Sequence, residues 1–194
     1  MSEPEVYLVA GLGNPGPDYA ETRHNAGFMV IDALAEIYRI EVKKRKFDVF
    51  FARGRIGSAE VVLAKPQAFM NRSGLPLRQL ADFFRIQSGR MVIVHDDIDL
   101  AFQRLKIKEK GGDGGHKGIR SIIDAFGGGD FARVRIGVGR SLNRANVVNH
   151  VLSTFSRDEK IAMDALLQRS CEAIVTILSK GTKEAMNQFN QNVS

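Results

Sequence analysis

Short runs of apolar residues alternate along this chain with stretches whose apolar residues recur at helical spacing. The runs at 6–10 and 91–94 are apolar at every position, which is typical of strands buried on both faces of a sheet. Between them, residues 24–39 show the three- and four-residue spacing of an amphipathic helix. This alternation predicts an α/β fold, a single-domain three-layer sandwich in which a mixed, mostly parallel β-sheet carries helices on both faces.

The remaining segments fit the same architecture. They are predicted as strands at 47–56, 60–65, 104–108 and 134–138, and as helices at 77–84, 119–126, 158–179 and 182–191. The two strands on either side of Gly57-Ser58 form a hairpin, which makes the sheet mixed. The chain has 194 residues and neither a repeat nor a linker, so one domain is predicted over residues 1–194.

Composition excludes several classes of protein. Apolar residues make up 44% of the chain and charged residues 26%, so it is neither disordered nor embedded in a membrane. The acidic start lacks the features of a secretory signal. The single cysteine, Cys171, cannot form an internal disulfide, which fits a reducing compartment. We therefore expect a cytoplasmic protein that has no membrane partner.

Positive charge is concentrated in two stretches. The formal net charge is +6, and residues 104–144 contain ten bases and four acids, an excess equal to that of the whole chain. Residues 39–55 contain seven bases and two acids. Either stretch could be a solvated face, but two separate blocks favour contact with nucleic acid.

Residues 11–16, GLGNPG, fit the glycine pattern of dinucleotide-binding proteins. That pattern requires a helix that begins within the glycines, whereas Pro15 and Pro17 delay any helix here. The strand at 47–56 also ends in Arg53-Gly54-Arg55 and not in an acidic residue. A nucleotide-dependent oxidoreductase therefore stays an alternative, and a tight turn after the first strand is favoured.

Candidate catalytic groups follow the strand at 91–94, where His95, Asp96, Asp97 and Asp99 reach the end of the strand. Ligands bind beyond the carboxyl ends of strands in such sheets. A carboxylate there can orient a histidine that activates water, without a protein nucleophile. Three acids so close in sequence cannot all face one centre, which disfavours a metal site. His24, near the first predicted helix, is either such a base or a capping or surface residue.

Two loops could contact a ligand. Phe69 and Met70 are expected in the core, and Asn71 beside them either caps a helix or donates hydrogen bonds to a ligand. The glycine-rich segment 111–115, flanked by lysines, is either a surface loop or a place where backbone approaches phosphate or RNA. It lacks the pattern of a Walker loop.

Together these segments resemble the bacterial-type peptidyl-tRNA hydrolase family, from Val6 to about Asn190. The resemblance rests on residues 11–16 (GLGNPG), 19–28 (YAETRHNAGF), 69–74 (FMNRSG), 95–100 (HDDIDL) and 133–139 (RVRIGVG). It implies a monomeric enzyme that needs no metal or cofactor. The implied reaction is hydrolysis of the ester between a peptide and the terminal ribose of tRNA, which recycles peptidyl-tRNA released early by ribosomes.

The resemblance also implies roles for particular residues. His24 would activate water, Asp96 would orient His24, and the ester and peptide end would be held by Asn14 and Asn71. The remaining roles concern binding. Tyr19 and the Met70 backbone would shape the peptide groove. Lys108 and Arg135 would clamp the 5′-phosphate of tRNA.

One departure from the family stands beside these residues. Lys117 follows His116 where the family commonly has an asparagine that contacts substrate and helps to position water. A lysine donates hydrogen bonds but cannot accept them, and it adds a charge. We hypothesise that Lys117 strengthens contact with phosphate.

The resemblance leaves one alternative function, an RNA-binding protein on the same fold that has no catalytic activity. The residues that discriminate between the two are His24, Asp96, Asn14 and Asn71. All four are present, which favours an enzyme.

Overall fold

The computed structural model describes residues 5–141 and 146–191. The strands in this part of the chain are β1 (Val6–Gly11), β2 (Lys44–Lys46), β3 (Val49–Ile56), β4 (Ala59–Pro66), β5 (Met91–Asp97), β6 (Leu105–Lys108) and β7 (Ala132–Gly137). The α-helices are α1 (Ala26–Tyr38), α2 (Gly74–Phe83), α3 (Lys117–Phe126), α4 (Val147–Val151), α5 (Arg157–Lys180) and α6 (Thr182–Phe189). Arg144, the last base of the stretch 104–144, lies outside the described residues.

All seven described strands form one sheet in the order β2-β3-β4-β1-β5-β7-β6. The four central strands β4, β1, β5 and β7 run parallel, and antiparallel strands flank them on both sides. The predicted α/β fold with a mixed sheet is therefore confirmed, as is the hairpin at Gly57-Ser58, which joins β3 to β4.

The sheet separates two hydrophobic cores, one on each face. Successive strand residues point to opposite faces, so Leu8 and Ala10 pack in one core while Val9 packs in the other. Helices α1, α5 and α6 cover the face of Val9, and α2 and α3 cover the opposite face. The predicted layers on both faces of the sheet are thus present, and the central strands are packed between them.

The glycine turn after β1 serves packing between the sheet and α1. A Cβ atom at Gly11 would lie 2.2 Å from the carbonyl oxygen of Gly27, and one at Gly27 would lie 2.4 Å from that of Val94. Both glycines are required because α1 crosses the ends of β1 and β5 in direct backbone contact. Helix α1 begins only at Ala26, so no helix starts within the glycines as a dinucleotide site requires.

Several elements differ from the sequence predictions. Strand β2 and helix α4 were not predicted, and α2 begins at Gly74, before the predicted start at 77. His24 lies in a 3₁₀ turn, Arg23–Asn25, that leads directly into α1. Among the described residues, the helices are too short or too polar to span a membrane.

Candidate active site

Asp96, near the end of β5, is paired with His24 from the 3₁₀ turn before α1. The His24 Nδ1 atom lies 2.9 Å from the Asp96 Oδ1 atom. The side chain of Asp96 is 2% exposed and that of His24 is 14% exposed. Because Nδ1 donates to the carboxylate, Nε2 of His24 is left to accept a proton. The two residues that the sequence analysis paired are therefore in hydrogen-bond contact.

A second histidine, His116, binds the same carboxylate oxygen. Its Nε2 atom lies 2.9 Å from Asp96 Oδ1. Its Nδ1 atom caps α3 by accepting from the backbone N–H groups of Gly118 at 3.1 Å and Ile119 at 3.3 Å. These partners assign the ring proton to Nε2, so His116 donates to Asp96. Sequence reasoning did not identify this role, and the only local signal was a histidine immediately before a helix.

The two histidines keep Asp96 ionised. Burial alone would raise the pKa of Asp96, but His116 and His24, which both donate hydrogen bonds to its carboxylate, hold the pKa well below its usual value. His95 contributes in a different way, since its ring packs 4.7 Å from that of His116. Burial first, and then the proximity of His116, lower the pKa of His95 well below its usual value. The ring of His95 is therefore neutral, and it packs against the ring of His116.

Asn14 is fixed in one orientation by its neighbours. Its Oδ1 atom accepts a 2.8 Å hydrogen bond from the backbone N–H of Met70. Its backbone is held by Asn25, whose side chain accepts from Asn14 N at 2.8 Å and donates to Asn14 O at 2.9 Å. Since Oδ1 is engaged, the side-chain Nδ2 of Asn14 is left as a donor at the cleft.

Eight of the nine predicted site residues line one cleft of about 750 Å³, namely Asn14, His24, Met70, Asn71, Asp96, Lys108, Lys117 and Arg135. Tyr19, the ninth, does not line the cleft itself; its ring packs edge-on against Phe69, with the ring centroids 6.3 Å apart. Phe69 lines the cleft and is 55% exposed, so its predicted place in the core is wrong, whereas Met70 is buried as expected.

One side of the cleft is apolar and was not predicted. Helix α4 and the residue that follows it contribute Val147, Val148, Val151 and Leu152. A single turn of helix gives too few residues for periodicity to show, which is why the sequence did not reveal this wall. Apolar side chains here, with Phe69, suit a substrate that has a variable, partly apolar portion.

Another part of the cleft lining is cationic. Lys108 on β6 and Arg135 on β7 both line it, and Arg135 Nε lies 2.6 Å from Asp97 Oδ2. Arg133 on β7 was not predicted as a site residue. Its buried guanidinium binds the carbonyl oxygens of Gly111 and Gly112, which holds the glycine-rich loop against the sheet.

The cluster of His24, Asp96 and His116 has the composition of a metal site, since one ligand atom of each lies within 4.8 Å of the others. However, Nδ1 of His116 already accepts two backbone N–H groups, so Nε2 carries the ring proton. Coordination through Nε2 would require the loss of that proton. The donor set therefore fits a hydrogen-bonded chain better than a metal, and the absence of a metal stays a prediction.

Comparison with known proteins identifies the family. The family model described as peptidyl-tRNA hydrolase matches residues 8–194. A peptidyl-tRNA hydrolase of Clostridium perfringens is 45% identical over 185 residues, which cover 95% of this chain and 97% of that protein. One from Clostridium novyi is 41% identical over 95% of this chain and 98% of its own. The crystal structure of peptidyl-tRNA hydrolase from Acinetobacter baumannii superimposes with a TM-score of 0.90 at 37% identity, covering 98% of this chain and 97% of that chain. With a match that spans nearly its whole length, the chain belongs to the peptidyl-tRNA hydrolase family.

Proposed function

We propose that this chain hydrolyses the ester bond of peptidyl-tRNA through a water molecule activated by His24, releasing free tRNA and peptide. The observation that carries the proposal is the 2.9 Å hydrogen bond between His24 and the buried Asp96, at the base of an open cleft. The alternative of a non-catalytic RNA-binding protein finds no support, because the relatives are hydrolases.

In the proposed reaction, Nε2 of His24 removes a proton from water as the water oxygen attacks the ester carbonyl carbon. The imidazolium that forms is stabilised by the negative charge of Asp96. When the tetrahedral intermediate collapses, the bond between carbonyl carbon and ribose oxygen breaks, and His24 returns its proton to that oxygen. An activated ester has a good leaving group, so no covalent intermediate with the protein is needed.

The developing negative charge on the carbonyl oxygen requires hydrogen-bond donors. The side-chain Nδ2 of Asn14 supplies one, because its orientation is fixed by Met70 and Asn25. Asn71 is exposed at the same cleft and supplies a second. His116 positions Asp96 through its hydrogen bond to the carboxylate.

Substrate binding divides between two parts of the cleft lining. Lys108 and Arg135 hold the 5′-phosphate of tRNA, and Lys117 adds a cation at the mouth of the cleft. The apolar wall of α4 receives peptide side chains without selecting among them. The unpaired 3′ end of tRNA is suited to this arrangement because it can be splayed onto the site.

The proposal includes a monomeric enzyme, a single domain over residues 1–194, a cytoplasmic location and a reaction without cofactor or metal. A cytoplasmic location suits a substrate that is produced by translation.

The decisive experiment compares the wild type with His24→Ala on an N-blocked aminoacyl-tRNA. We expect kcat to fall by about 10²- to 10⁴-fold, the usual contribution of a general base. Binding of the same tRNA should be retained, because His24 is not one of the cations proposed to hold the 5′-phosphate. Equal rates in the two proteins would remove the proposed mechanism.

A further inference from the structure

The second basic stretch, residues 39–55, lies far from the cleft. It contains β2 and most of β3, at the edge of the sheet opposite to β6. Six strand spacings of about 4.8 Å separate β2 from β6, a distance of about 29 Å. The cations of this stretch therefore cannot belong to the phosphate site formed by Lys108 and Arg135. The proposed hydrolysis leaves them without a function.

The exposed cations of this edge are only partly neutralised. All three residues of β2, Lys44, Arg45 and Lys46, are exposed. Arg45 pairs with Asp48 at 2.6 Å. Among the described residues, neither Lys44 nor Lys46 has an acidic partner. An excess of positive charge thus faces solvent along a short edge strand.

Aromatic rings accompany these cations. The Lys46 Nζ atom lies 5.0 Å from the ring centroid of Phe47 and 4.7 Å from that of Phe83. The two rings meet edge-on at 6.0 Å, and Phe83 is 54% exposed. The Arg45 guanidinium lies 5.6 Å from the ring centroid of Phe50. We call the group formed by Lys44, Arg45, Lys46, Phe47, Phe50 and Phe83 the β2 surface.

The turn beside this surface has a backbone conformation that its two residues rarely adopt. Phe47 and Asp48 connect β2 to β3 with φ angles of 52° and 58°. Two-residue hairpins with positive φ at both positions strongly prefer asparagine and glycine, and a bulky aromatic residue there is strained. Lysine on an edge strand is explained by protection from aggregation. Packing accounts for Phe47, which is partly buried against the core on the face of α2 and α3. Neither protection nor packing accounts for Phe83 beside it, which is 54% exposed.

We propose that the β2 surface binds a single-stranded RNA segment, separate from the acceptor end held in the cleft. Lys44 and Lys46 would contact phosphates, and the exposed part of the Phe83 ring would receive a base by stacking. Surfaces that bind single-stranded nucleic acid without sequence preference combine these two features. An acidic protein segment would use the charge but would gain nothing specific from the aromatic face.

Direct binding tests this proposal independently of hydrolysis. The probe is an oligouridylate of about 12 nucleotides, a usual site size, with a 5′-hydroxyl group and a 3′-fluorescein label for anisotropy. We expect the double variant Lys44→Glu, Lys46→Glu to weaken binding of the oligouridylate about tenfold or more. The matched control is Lys180→Glu with Lys183→Glu, two exposed lysines on α5 and α6. Both double variants change the formal net charge from +6 to +2.

A second pair of variants tests the aromatic contribution. We expect Phe83→Leu to weaken binding about fivefold, since stacking on one base contributes at least that much, and Phe83→Tyr to retain it. None of these variants should change kcat or KM for N-blocked aminoacyl-tRNA, and melting temperatures confirm folding. Equal weakening by the two lysine pairs, or no change in any variant, would overturn the proposal. If the double variant at Lys44 and Lys46 lost RNA binding while Phe83→Leu bound normally, the β2 surface would bind anions in general. That result would also overturn the proposal.

Discussion

Arg135 donates from Nε to Asp97 Oδ2 at 2.6 Å, so one edge of its guanidinium is already held by the protein. Both side chains are largely buried, at 18% and 10% exposure. A guanidinium fixed through Nε presents its two remaining nitrogens in one plane, the geometry that binds phosphate with two hydrogen bonds. Asp97 therefore fixes the direction in which Arg135 faces the cleft.

Replacement of Arg135 by alanine should weaken tRNA binding without affecting the chemical step. We expect KM to rise about tenfold while kcat stays close to the wild-type value, because His24 and Asp96 are unchanged. The slope of log KM against log salt concentration should decrease by about 0.7 to 0.9 on loss of one phosphate contact. Steady-state kinetics at several salt concentrations measure both effects, and an unchanged KM would exclude Arg135 from the phosphate site.

Asp97 should act only through Arg135. Asp97→Ala is expected to raise KM for a substrate with a 5′-phosphate, and to have little effect on the same substrate with a 5′-hydroxyl group. Asp97→Asn should lie close to the wild type because its side-chain oxygen still accepts from Nε. If Asp97→Ala instead lowered kcat for both substrates, Asp97 would act by positioning the adjacent Asp96 and not through Arg135.

His116 can be tested without removing the cap of α3. Asparagine caps helices well, so His116→Asn should melt close to the wild type, whereas His116→Ala loses the cap and about 1 kcal/mol of stability. We expect both variants to lower kcat about tenfold, since Asp96 loses one of its two histidine donors. A His116→Asn variant with full kcat would show that His24 alone holds Asp96 in place.

Much of the fold was predictable because burial leaves a local signal. The runs at 6–10 and 91–94 are apolar throughout because β1 and β5 are covered on both faces. Strand β2 leaves no such signal, since its three charged residues are held by backbone pairing with β3.

The site was less accessible to sequence reasoning. His24 and Asp96 are 72 residues apart, and their roles came from the resemblance to a family and not from a local pattern. The role of His116 depends on where α3 begins relative to β5, which only the folded structure shows.

Glu159 should make stability depend on pH. Burial raises the pKa of Glu159, but hydrogen bonds from Ser156 and Arg23 hold it below its usual value. Arg23, which directly precedes His24, donates to both Glu159 oxygens at 2.8 Å. A carboxyl whose pKa is depressed in the folded protein stabilises the fold at pH values above its pKa in the unfolded chain. This contribution is lost as the pH falls toward the pKa in the folded protein.

Below about pH 4.3, the usual pKa of glutamate, the unfolding free energy of the wild type should therefore decline. The decline should be steeper than that of Glu159→Gln. Urea denaturation at a series of pH values compares the two. Parallel curves for the two proteins would mean that the ion pair of Glu159 with Arg23 contributes little.

Lys117→Asn restores the residue that is common in the family. If Lys117 contacts phosphate, KM should rise and the salt dependence of KM should become shallower in the variant. The effect should be smaller than for Arg135→Ala, because Lys117 is exposed and its charge is screened. Unchanged KM and unchanged salt dependence would sink this hypothesis, and a rise in kcat would indicate that asparagine positions water better.

Asn190, directly after α6, completes the edge of the sheet. Its side chain accepts from Ile107 N at 2.7 Å and donates to Ile107 O at 2.9 Å, as a neighbouring strand would. The next residue on β6 is Lys108, which lines the cleft. Proteolytic trimming that removed Asn190 would therefore loosen the strand that carries Lys108, the proposed phosphate contact, and would also expose an unpaired β edge open to aggregation.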